Sequence, residues 1–340
     1  NVIYGANGSG KTSLLEAIFF LATARSFRSN KANTAIAYER DKFTLVANLI
    51  SADMPLSLGI ERDTKDSATM KLSGKVVNSI SQLSQYLPVI VIDNQSFNLI
   101  DGSPSIRRKF INKGLFYHQP QFLKLWSKYS KILQQRNSLL KQRQHNNSLL
   151  EAWDQQLVAL AEQIDNLSKD YLLEFTAIFK QTLSALLDIP EVELSYYSGW
   201  PHKKAYSKCL QDSLAQDRLR GFTSYGPHRG DIHVHIGGVE ARDALSRGQK
   251  KLFVAALMLA QGKFLQQDLD KRSVFLVDDL AAELDEHNIQ KLCDTLLAMD
   301  VQIFITAIEK DRYTRFLGDN KTIEYFAIDQ GAVTVANSPP

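Results

Sequence analysis

The sequence has few cysteines and no long apolar run. Its two cysteines among 340 residues, Cys209 and Cys293, are too few and too far apart for a disulfide framework or a zinc site. No segment approaches the roughly 18 consecutive apolar residues that a membrane span needs. Hydrophobic residues make up 44% of the chain and charged residues 23%, which excludes a disordered or collagen-like protein. We therefore expect a globular, cytoplasmic protein without a membrane partner.

Acidic residues are absent from one long segment. Residues 103–150 contain ten Lys and Arg residues and neither Asp nor Glu, a net charge of +10. The other 292 residues contain 30 basic and 37 acidic residues, so the overall charge of +3 conceals a strong asymmetry. A basic segment of this kind is suited to the phosphate backbone of a nucleic acid.

The first chemical motif lies close to the start of the sequence. Residues 5–12 match the pattern G-x-x-x-x-G-K-[ST] and stand between a β-like run and a helix-forming stretch, the context that a phosphate-binding loop requires. In such a loop, backbone N–H groups surround phosphate oxygens, the lysine reaches the β- and γ-phosphates, and the threonine ligates Mg²⁺. A simple glycine turn is the weaker alternative. The predicted ATP-binding residues are Gly5, Ala6, Asn7, Gly8, Ser9, Gly10, Lys11, Thr12 and Ser13.

A second motif supplies the carboxylates that this loop needs. The apolar run 274–277 is followed by Asp278 and Asp279, as at the end of a buried strand. We predict that Asp278 and Thr12 hold Mg²⁺. Asp279 would orient or deprotonate the attacking water, and Lys11 would be a second catalytic residue. Taken alone, the two acids could equally be an acidic turn after a core strand. Only four residues precede the phosphate-binding loop, so we also expect a fragment that lacks its N-terminal strands.

Two further elements resemble those of the ABC ATPases. Residues 245–249 read Leu-Ser-Arg-Gly-Gln, close to the signature loop of that class, and residues 282–285 resemble its D-loop. The resemblance implies that two copies close head to tail over ATP, so that ATP would drive formation of a homodimer. The residues that would contact ATP from the second copy are Ser246, Gly248, Gln249 and Asp285. By itself the pentapeptide could be an ordinary loop before a helix.

The chain as a whole resembles the RecF family of bacterial recombinational repair proteins. The segments that carry the resemblance are residues 7–18, 26–28, 102–110, 135–137, 226–229, 245–249 and 278–279. It implies an α/β fold, namely an ABC-type P-loop ATPase head with an antiparallel β-subdomain and an inserted helical lobe. It further implies a weak ATPase, with ATP and Mg²⁺ as cofactors, that binds DNA at single-strand gaps. RecO, RecR and RecA are the implied partners, with RecA loading as the outcome.

The chain departs from the family and class patterns at several positions. Gly230 precedes Asp231 where the family usually has two acids. Gln95 lies where ABC proteins place a catalytic Q-loop glutamine, although a turn glutamine fits equally well. Thr306 stands where transporters have a switch histidine, and Asp279 is not a glutamate. The last two departures predict slow hydrolysis.

Three segments are expected along the chain. Residues 1–105 would form the first part of the head, with strands at 43–50, 56–60 and 70–77, residues 106–220 the helical lobe, and residues 221–340 the second part of the head. Apolar residues at helical spacing between residues 120 and 190 predict a helical hairpin that turns at 145–148. The predicted DNA-binding residues are Arg107, Arg108, Lys124, Lys128 and Lys131. The lysines could instead form a solvated helix face, and the arginines could act within the head.

Two other functions remain open at this level. A small-molecule kinase with a P-loop would make the Ser246 segment incidental. A nucleotide-gated DNA-binding module would bind ATP with negligible turnover. DNA-stimulated ATP turnover distinguishes the repair ATPase from the kinase, and the effect of Asp279→Asn on the dwell time on DNA distinguishes it from the module.

Overall fold

The computed structural model describes residues 1–29, 32–51, 54–65, 67–142, 147–269, 271–279, 284–317 and 323–336. The chain divides into two compact units, Asn1–Ser96 with Leu265–Pro340, and Phe97–Phe264. The expected segments 1–105, 106–220 and 221–340 separate a head from a lobe, and that division stays a prediction.

A six-stranded sheet forms the centre of the first unit. Its strands lie in the order β13-β12-β1-β11-β10-β6, and every neighbouring pair is parallel except β12 with β13. The strands are β1 (Val2–Tyr4), β6 (Val89–Ile92), β10 (Val274–Val277), β11 (Gln302–Ala307), β12 (Tyr325–Asp329) and β13 (Ala332–Ala336). The continuous apolar runs of β6 and β10 are buried, as is usual for strands that are covered on both faces. Parallel pairing brings the carboxyl ends of β1, β6, β10 and β11 to one edge of the sheet.

An antiparallel sheet completes the first unit, with the strand order β2-β3-β4-β5. Its strands are β2 (Lys42–Ser51), β3 (Met54–Asp63), β4 (Ala68–Leu72) and β5 (Lys75–Val77). The predicted strands in this region are therefore confirmed, and residues 70–77 form two strands joined by a turn at Ser73 and Gly74, both of which have positive φ. Alternate residues of β2 and β3 face a core that also contains Leu15 and Phe20. The helices of this unit are α1 (Lys11–Thr23), α2 (Ile80–Ser84), α10 (Glu286–Leu297) and α11 (Asp311–Leu317).

The second unit is mostly helical. Its helices are α3 (Asn98–Asp101), α4 (Pro104–His118), α5 (Phe122–Leu140), α6 (Asn147–Leu186), α7 (Tyr206–Arg220), α8 (Ala241–Ala244) and α9 (Arg247–Leu269), the last turn of which belongs to the first unit. A small antiparallel sheet contains β7 (Val192–Tyr197), β8 (Asp231–Ile236) and β9 (Val239–Glu240). No helix of the described residues is both long and apolar enough to cross a lipid bilayer.

Helices α5 and α6 form the predicted helical hairpin. The 40 residues of α6 correspond to about 60 Å of helix. His145 and Asn146, half of the expected turn, lie outside the described residues. The other half was placed wrongly, because residues 147 and 148 are the first two residues of α6. Their polar side chains suit a turn and the first turn of a helix alike, so sequence alone does not separate the two.

A buried ion-pair cluster joins the hairpin to α7. The side chain of Arg136 on α5 is fully buried and contacts Asp154 of α6 at 2.6 Å and Asp217 of α7 at 2.9 Å. Its Nη1 also donates to the hydroxyl of Thr223 at 2.9 Å. Asn137 accepts hydrogen bonds from both the N–H and the hydroxyl of Thr223. One arginine of the basic segment is therefore a structural cation inside this unit.

A histidine contact lies beside this cluster. The ring of His228 is held by the hydroxyl of Tyr129, 2.6 Å from Nδ1, and by the carbonyl of Thr223, 3.1 Å from Nε2. Because a carbonyl only accepts, Nε2 carries the proton and Nδ1 accepts from the tyrosine. Burial lowers the pKa of His228 to about 4, with Arg229 and Arg108 adding smaller repulsive contributions. The histidine is therefore neutral at physiological pH.

Candidate nucleotide-binding site

The phosphate-binding loop follows β1 and ends at the start of α1. Gly8 and Gly10 have φ of 82° and 110°, left-handed values that favour glycine over residues with a side chain. Gly10 is the N-cap of α1 and supplies no side-chain hydrogen bond. The first N–H groups of α1 therefore point into the loop without a side-chain cap. They form an anion-binding arrangement of the kind that recognises phosphate.

The side chain of Lys11 contacts the backbone of the phosphate-binding loop. Its ammonium group donates to the carbonyl of Gly5 at 2.7 Å and to the carbonyl of Ala6 at 3.0 Å. The side chain is therefore fixed in the loop, and the residue is only 9% exposed. An ammonium group has three N–H donors, so one donor remains for a phosphate oxygen.

The end of β12 and the turn between β12 and β13 pack against this loop. The N–H of Gly331 donates to the carbonyl of Ser9 at 2.8 Å. A Cβ on Gly5 would lie 2.3 Å from the carbonyl oxygen of Ile328, which no side chain tolerates. The Ser9 hydroxyl is buried and has no hydrogen-bond partner among the described residues. An orphaned donor beside the loop fits a ligand that accepts hydrogen bonds, as phosphate does.

Thr12 and Asp278, the predicted metal ligands, are in contact. Strand β10 ends at Val277, and the Thr12 hydroxyl lies 3.1 Å from Oδ1 of Asp278. A carboxylate and a hydroxyl are hard oxygen donors, and a few such ligands beside substrate phosphates are what Mg²⁺ uses. The donor set therefore fits the expected ion. The roles of both residues as ligands remain predictions.

Thr306 contacts both Asp278 and Asp279. It belongs to β11, the strand between β1 and β10, and is 1% exposed. Its hydroxyl donates to Oδ1 of Asp278 at 2.9 Å and accepts from the N–H of Asp279 at 2.9 Å. Asp279 has a φ of 50°, in the left-handed region. The sequence pattern does not predict these contacts, because it shows only that Thr306 stands where transporters have a switch histidine.

Gln95 follows β6, the neighbour of β10 in the sheet. It lies in a short 3-10 turn, residues 94–97, and is exposed. Asp93 and Ser96 fix this turn, because the Asp93 carboxylate accepts from both the N–H and the hydroxyl of Ser96. Gln95 is therefore at the same sheet edge as Asp278, and its catalytic role remains a prediction.

The signature segment lies in the second unit, at the start of α9. Ser246 and Gln249 form a reciprocal capping box, in which the N–H of each residue donates to the side chain of the other at 2.9 and 3.3 Å. A Cβ on Gly248 would meet nothing within 4 Å. The N-terminus of α9 is therefore fixed by this capping box and has free space at Gly248, and the predicted ATP contacts of Ser246, Gly248 and Gln249 stay predictions.

The described part of the D-loop begins at Leu284, because residues 282 and 283 lie outside the described residues. Asp285 is the N-cap of α10, and its carboxylate accepts from the N–H of Asn288 at 2.9 Å. Its predicted contact with ATP stays a prediction.

The basic segment separates into buried and exposed groups. Arg107 makes a two-bond ion pair with Asp231, each bond 2.8 Å long, and both side chains are largely buried. Arg108 donates to the carbonyl of Gly230 at 2.9 Å, and burial lowers the pKa of Lys113 to about 8. Among the described residues of the segment, the exposed cations are Lys109, Lys124, Lys128, Lys131 and Lys141.

This arrangement favours the internal role of the two arginines over DNA contact. The same packing explains why a glycine fits at residue 230. Its carbonyl accepts from Arg108, and a Cβ there would lie 3.1 Å from the carbonyl of Tyr197. The α5 lysines remain the accessible part of the predicted DNA surface.

Comparison with known proteins identifies the family and the fold. The model of the RecF/RecN/SMC N-terminal domain matches residues 1–334. The chain is 40% identical over 335 residues to the DNA replication and repair protein RecF of Shewanella frigidimarina, covering 98% of this chain and 92% of that protein. It superposes on a solved structure of the recombination mediator protein RecF with ATP at a TM-score of 0.88 and 26% identity, covering 99% of this chain and 91% of the other. An SMC head bound to the C-terminal winged-helix domain of ScpA shares the fold alone, at a TM-score of 0.56 and 15% identity.

The fold and the nucleotide site define an ABC-type ATPase of the RecF/RecN/SMC class, which confirms the expected α/β head architecture. Within that class, the chain belongs to the RecF family of DNA replication and repair proteins. It is an ATP-binding protein of recombinational repair.

Proposed function

We propose that the chain is a weak, Mg²⁺-dependent ATPase whose ATP-closed homodimer binds DNA at single-strand gaps in the cytoplasm. The observation that carries the proposal is the 3.1 Å contact between Thr12 and Asp278. It brings the phosphate-binding loop next to the acids that follow the buried strand β10. The partners proposed for it, RecO, RecR and RecA, follow from the family resemblance. The related solved structure is described as part of the RecFOR pathway.

The residues of the site divide the chemistry among them. The loop N–H groups and Lys11 bind and orient the β- and γ-phosphates. When bound by Thr12 and Asp278, Mg²⁺ neutralises charge that develops on those phosphates. Asp279 orients or deprotonates the attacking water, and Gln95, at the neighbouring strand end, responds to the γ-phosphate as a Q-loop glutamine does. Turnover is slow for two reasons. The Asp279 side chain is shorter than that of a glutamate, and Thr306 stands in place of the switch histidine of transporters.

A second copy completes the site. Each signature segment places the exposed Ser246 and the half-buried Gly248 and Gln249 at a helix N-terminus, which adds hydrogen bonds to the γ-phosphate of ATP held by the other copy. Asp285 reaches the same nucleotide across the interface. ATP therefore holds the two copies together until it is hydrolysed.

DNA binding is carried by the exposed lysines of α5. Lys124, Lys128 and Lys131 are all exposed and share one face of a helix whose other face contains the buried Tyr129. Three such cations contact phosphates without reading bases, so binding is independent of sequence and falls with salt.

A salt series tests this proposal. Binding of duplex, gapped and single-stranded DNA is measured with and without ATP for the wild type and for a variant with glutamine at Lys124, Lys128 and Lys131. Loss of three phosphate contacts should lower the slope of log K against log salt by about 2 to 3. The matched control carries glutamine at Lys65, Lys71 and Lys75, exposed lysines of the first unit, and should keep the wild-type slope. ATP-independent or salt-insensitive binding by the wild type would overturn the proposal.

A further inference from the structure

We infer that Thr306 is a positioning residue that holds both acids of the nucleotide site in place, and that it does not contact the γ-phosphate. The inference rests on the proposed ATPase function and deepens it. Its evidence is the set of contacts that one buried hydroxyl makes to Asp278 and Asp279.

The hydrogen-bonding capacity of this hydroxyl decides its role. A threonine hydroxyl has one donor and two acceptor sites. The donor of Thr306 goes to Oδ1 of Asp278, and one acceptor site takes the N–H of Asp279. The oxygens of a fully ionised γ-phosphate only accept, so Thr306 has nothing to offer them without releasing Asp278. A switch histidine, in contrast, can donate to phosphate through a ring N–H.

The two contacts have different consequences for the site. Oδ1 of Asp278 accepts from Thr306 at 2.9 Å and from Thr12 at 3.1 Å, so two hydroxyls fix the rotation of the carboxylate. A metal ligand that is oriented in this way binds its ion more tightly, because less freedom is lost on binding.

The contact with Asp279 holds an uncommon backbone conformation. A φ of 50° is unfavourable for a residue with a side chain, although aspartate tolerates it better than most. The hydrogen bond from its N–H to Thr306 compensates for that conformation and satisfies a main-chain donor next to the buried strand. Thr306 thereby sets where the side chain of Asp279 leaves the backbone.

The position of Thr306 in the sheet explains why one residue can contact both Asp278 and Asp279. Strand β11 lies between β1, which leads into the phosphate-binding loop, and β10, which leads into the acids. A side chain near its carboxyl end is therefore adjacent to both segments. Thr306 is paired in register with Ile3 of β1, and its neighbour Ile305 with Val277 of β10.

Nucleotide binding at varied Mg²⁺ concentration distinguishes a positioning role of Thr306 from a contact with the γ-phosphate. ATP and ADP affinities are measured by calorimetry for the wild type, Thr306→Val and Thr306→Ser, in a Mg²⁺ series and in EDTA. The control is Thr295→Val, a largely buried threonine of α10 whose hydroxyl donates to the Lys291 carbonyl at 2.7 Å. Thermal melting of each variant shows whether it is folded.

Positioning predicts that Thr306→Val needs about tenfold more Mg²⁺ for half-maximal binding of ATP and of ADP alike, the range found when a residue that orients a metal ligand is lost. Affinities in EDTA should not change, and Thr306→Ser, which keeps the hydroxyl, should resemble the wild type. Should the valine variant not fold, Thr306→Ala removes the same hydroxyl with a smaller side chain and is measured in the same way.

Two results would overturn the inference. Weaker ATP binding in EDTA with unchanged ADP binding would show a γ-phosphate contact. Unchanged Mg²⁺ dependence in the valine or alanine variant would show that the hydroxyl does not position Asp278 as a metal ligand. Either result leaves the proposed function intact, whereas a wild type that binds no ATP would refute the proposed function itself.

Discussion

Replacing Arg136 by methionine tests how the helices of the second unit are held together. The side chain is completely buried and contacts Asp217, whose side chain is also completely buried, at 2.9 Å. Methionine fills a similar volume but leaves the Asp217 carboxylate without its cation. Removing one partner of a buried ion pair costs about 3–5 kcal/mol, because the remaining charge keeps its desolvation penalty. Asp154 is less affected, since its side chain is 22% exposed.

The expected result is a loss of about 3–5 kcal/mol in the free energy of unfolding, or roughly 10 °C in melting temperature. Urea titration followed by the helical circular dichroism signal measures it. Lys131→Met removes an exposed cation five residues earlier on the same helix and should change stability by less than about 1 kcal/mol.

A double variant identifies the cause. Asp217→Asn removes the buried charge while its amide oxygen can still accept from the N–H of Ser224, which donates to Asp217 at 3.0 Å. Adding Asp217→Asn to Arg136→Met should therefore recover about 2 kcal/mol or more. Additive losses, or an Arg136→Met variant as stable as the wild type, would refute the reasoning.

Two further predictions concern a glycine and a histidine. Gly5→Ala places a Cβ 2.3 Å from the Ile328 carbonyl and should weaken ATP binding more than about tenfold by calorimetry, whereas Gly74→Ala, at an open hairpin turn, should leave it unchanged. For His228, a pKa near 4 against about 6.5 in the unfolded chain means that the unfolded state takes up the proton first. Stability is then full above pH 6.5 and falls by about 2–3 kcal/mol towards pH 4 in urea titrations. His228→Gln should remove most of that fall, and an identical pH profile in the variant would contradict this assignment.

Much of the nucleotide site could be predicted from sequence because its parts are local. The phosphate-binding loop lies within eight consecutive residues, and Asp278 directly follows the apolar run of β10, so each pattern reports its own structure. The strands of the antiparallel sheet were predictable for the same reason, since alternation within one strand shows which face is buried.

The remaining features depend on contacts between distant residues. Arg136 and the α5 lysines look equivalent in the basic segment, yet Arg136 is buried because Asp154 and Asp217 reach it from two other helices. Arg107 was predicted to bind DNA, and its partner Asp231 lies 124 residues away. Sequence periodicity carries no information about such pairings, and neither does it reveal that Thr306 joins the two acids.

In the proposed dimer, two copies share each ATP, with the phosphate-binding loop of one facing the signature segment of the other. Molar mass by light scattering, with and without ATP, tests it on Lys11→Arg, Ser246→Arg and their equimolar mixture. Neither variant should dimerise alone, although Ser246→Arg should still bind ATP. The mixture should form dimers, because its heterodimer contains one intact pair of loop and signature. ATP-driven dimers of Ser246→Arg alone, or none in the mixture, would contradict the account.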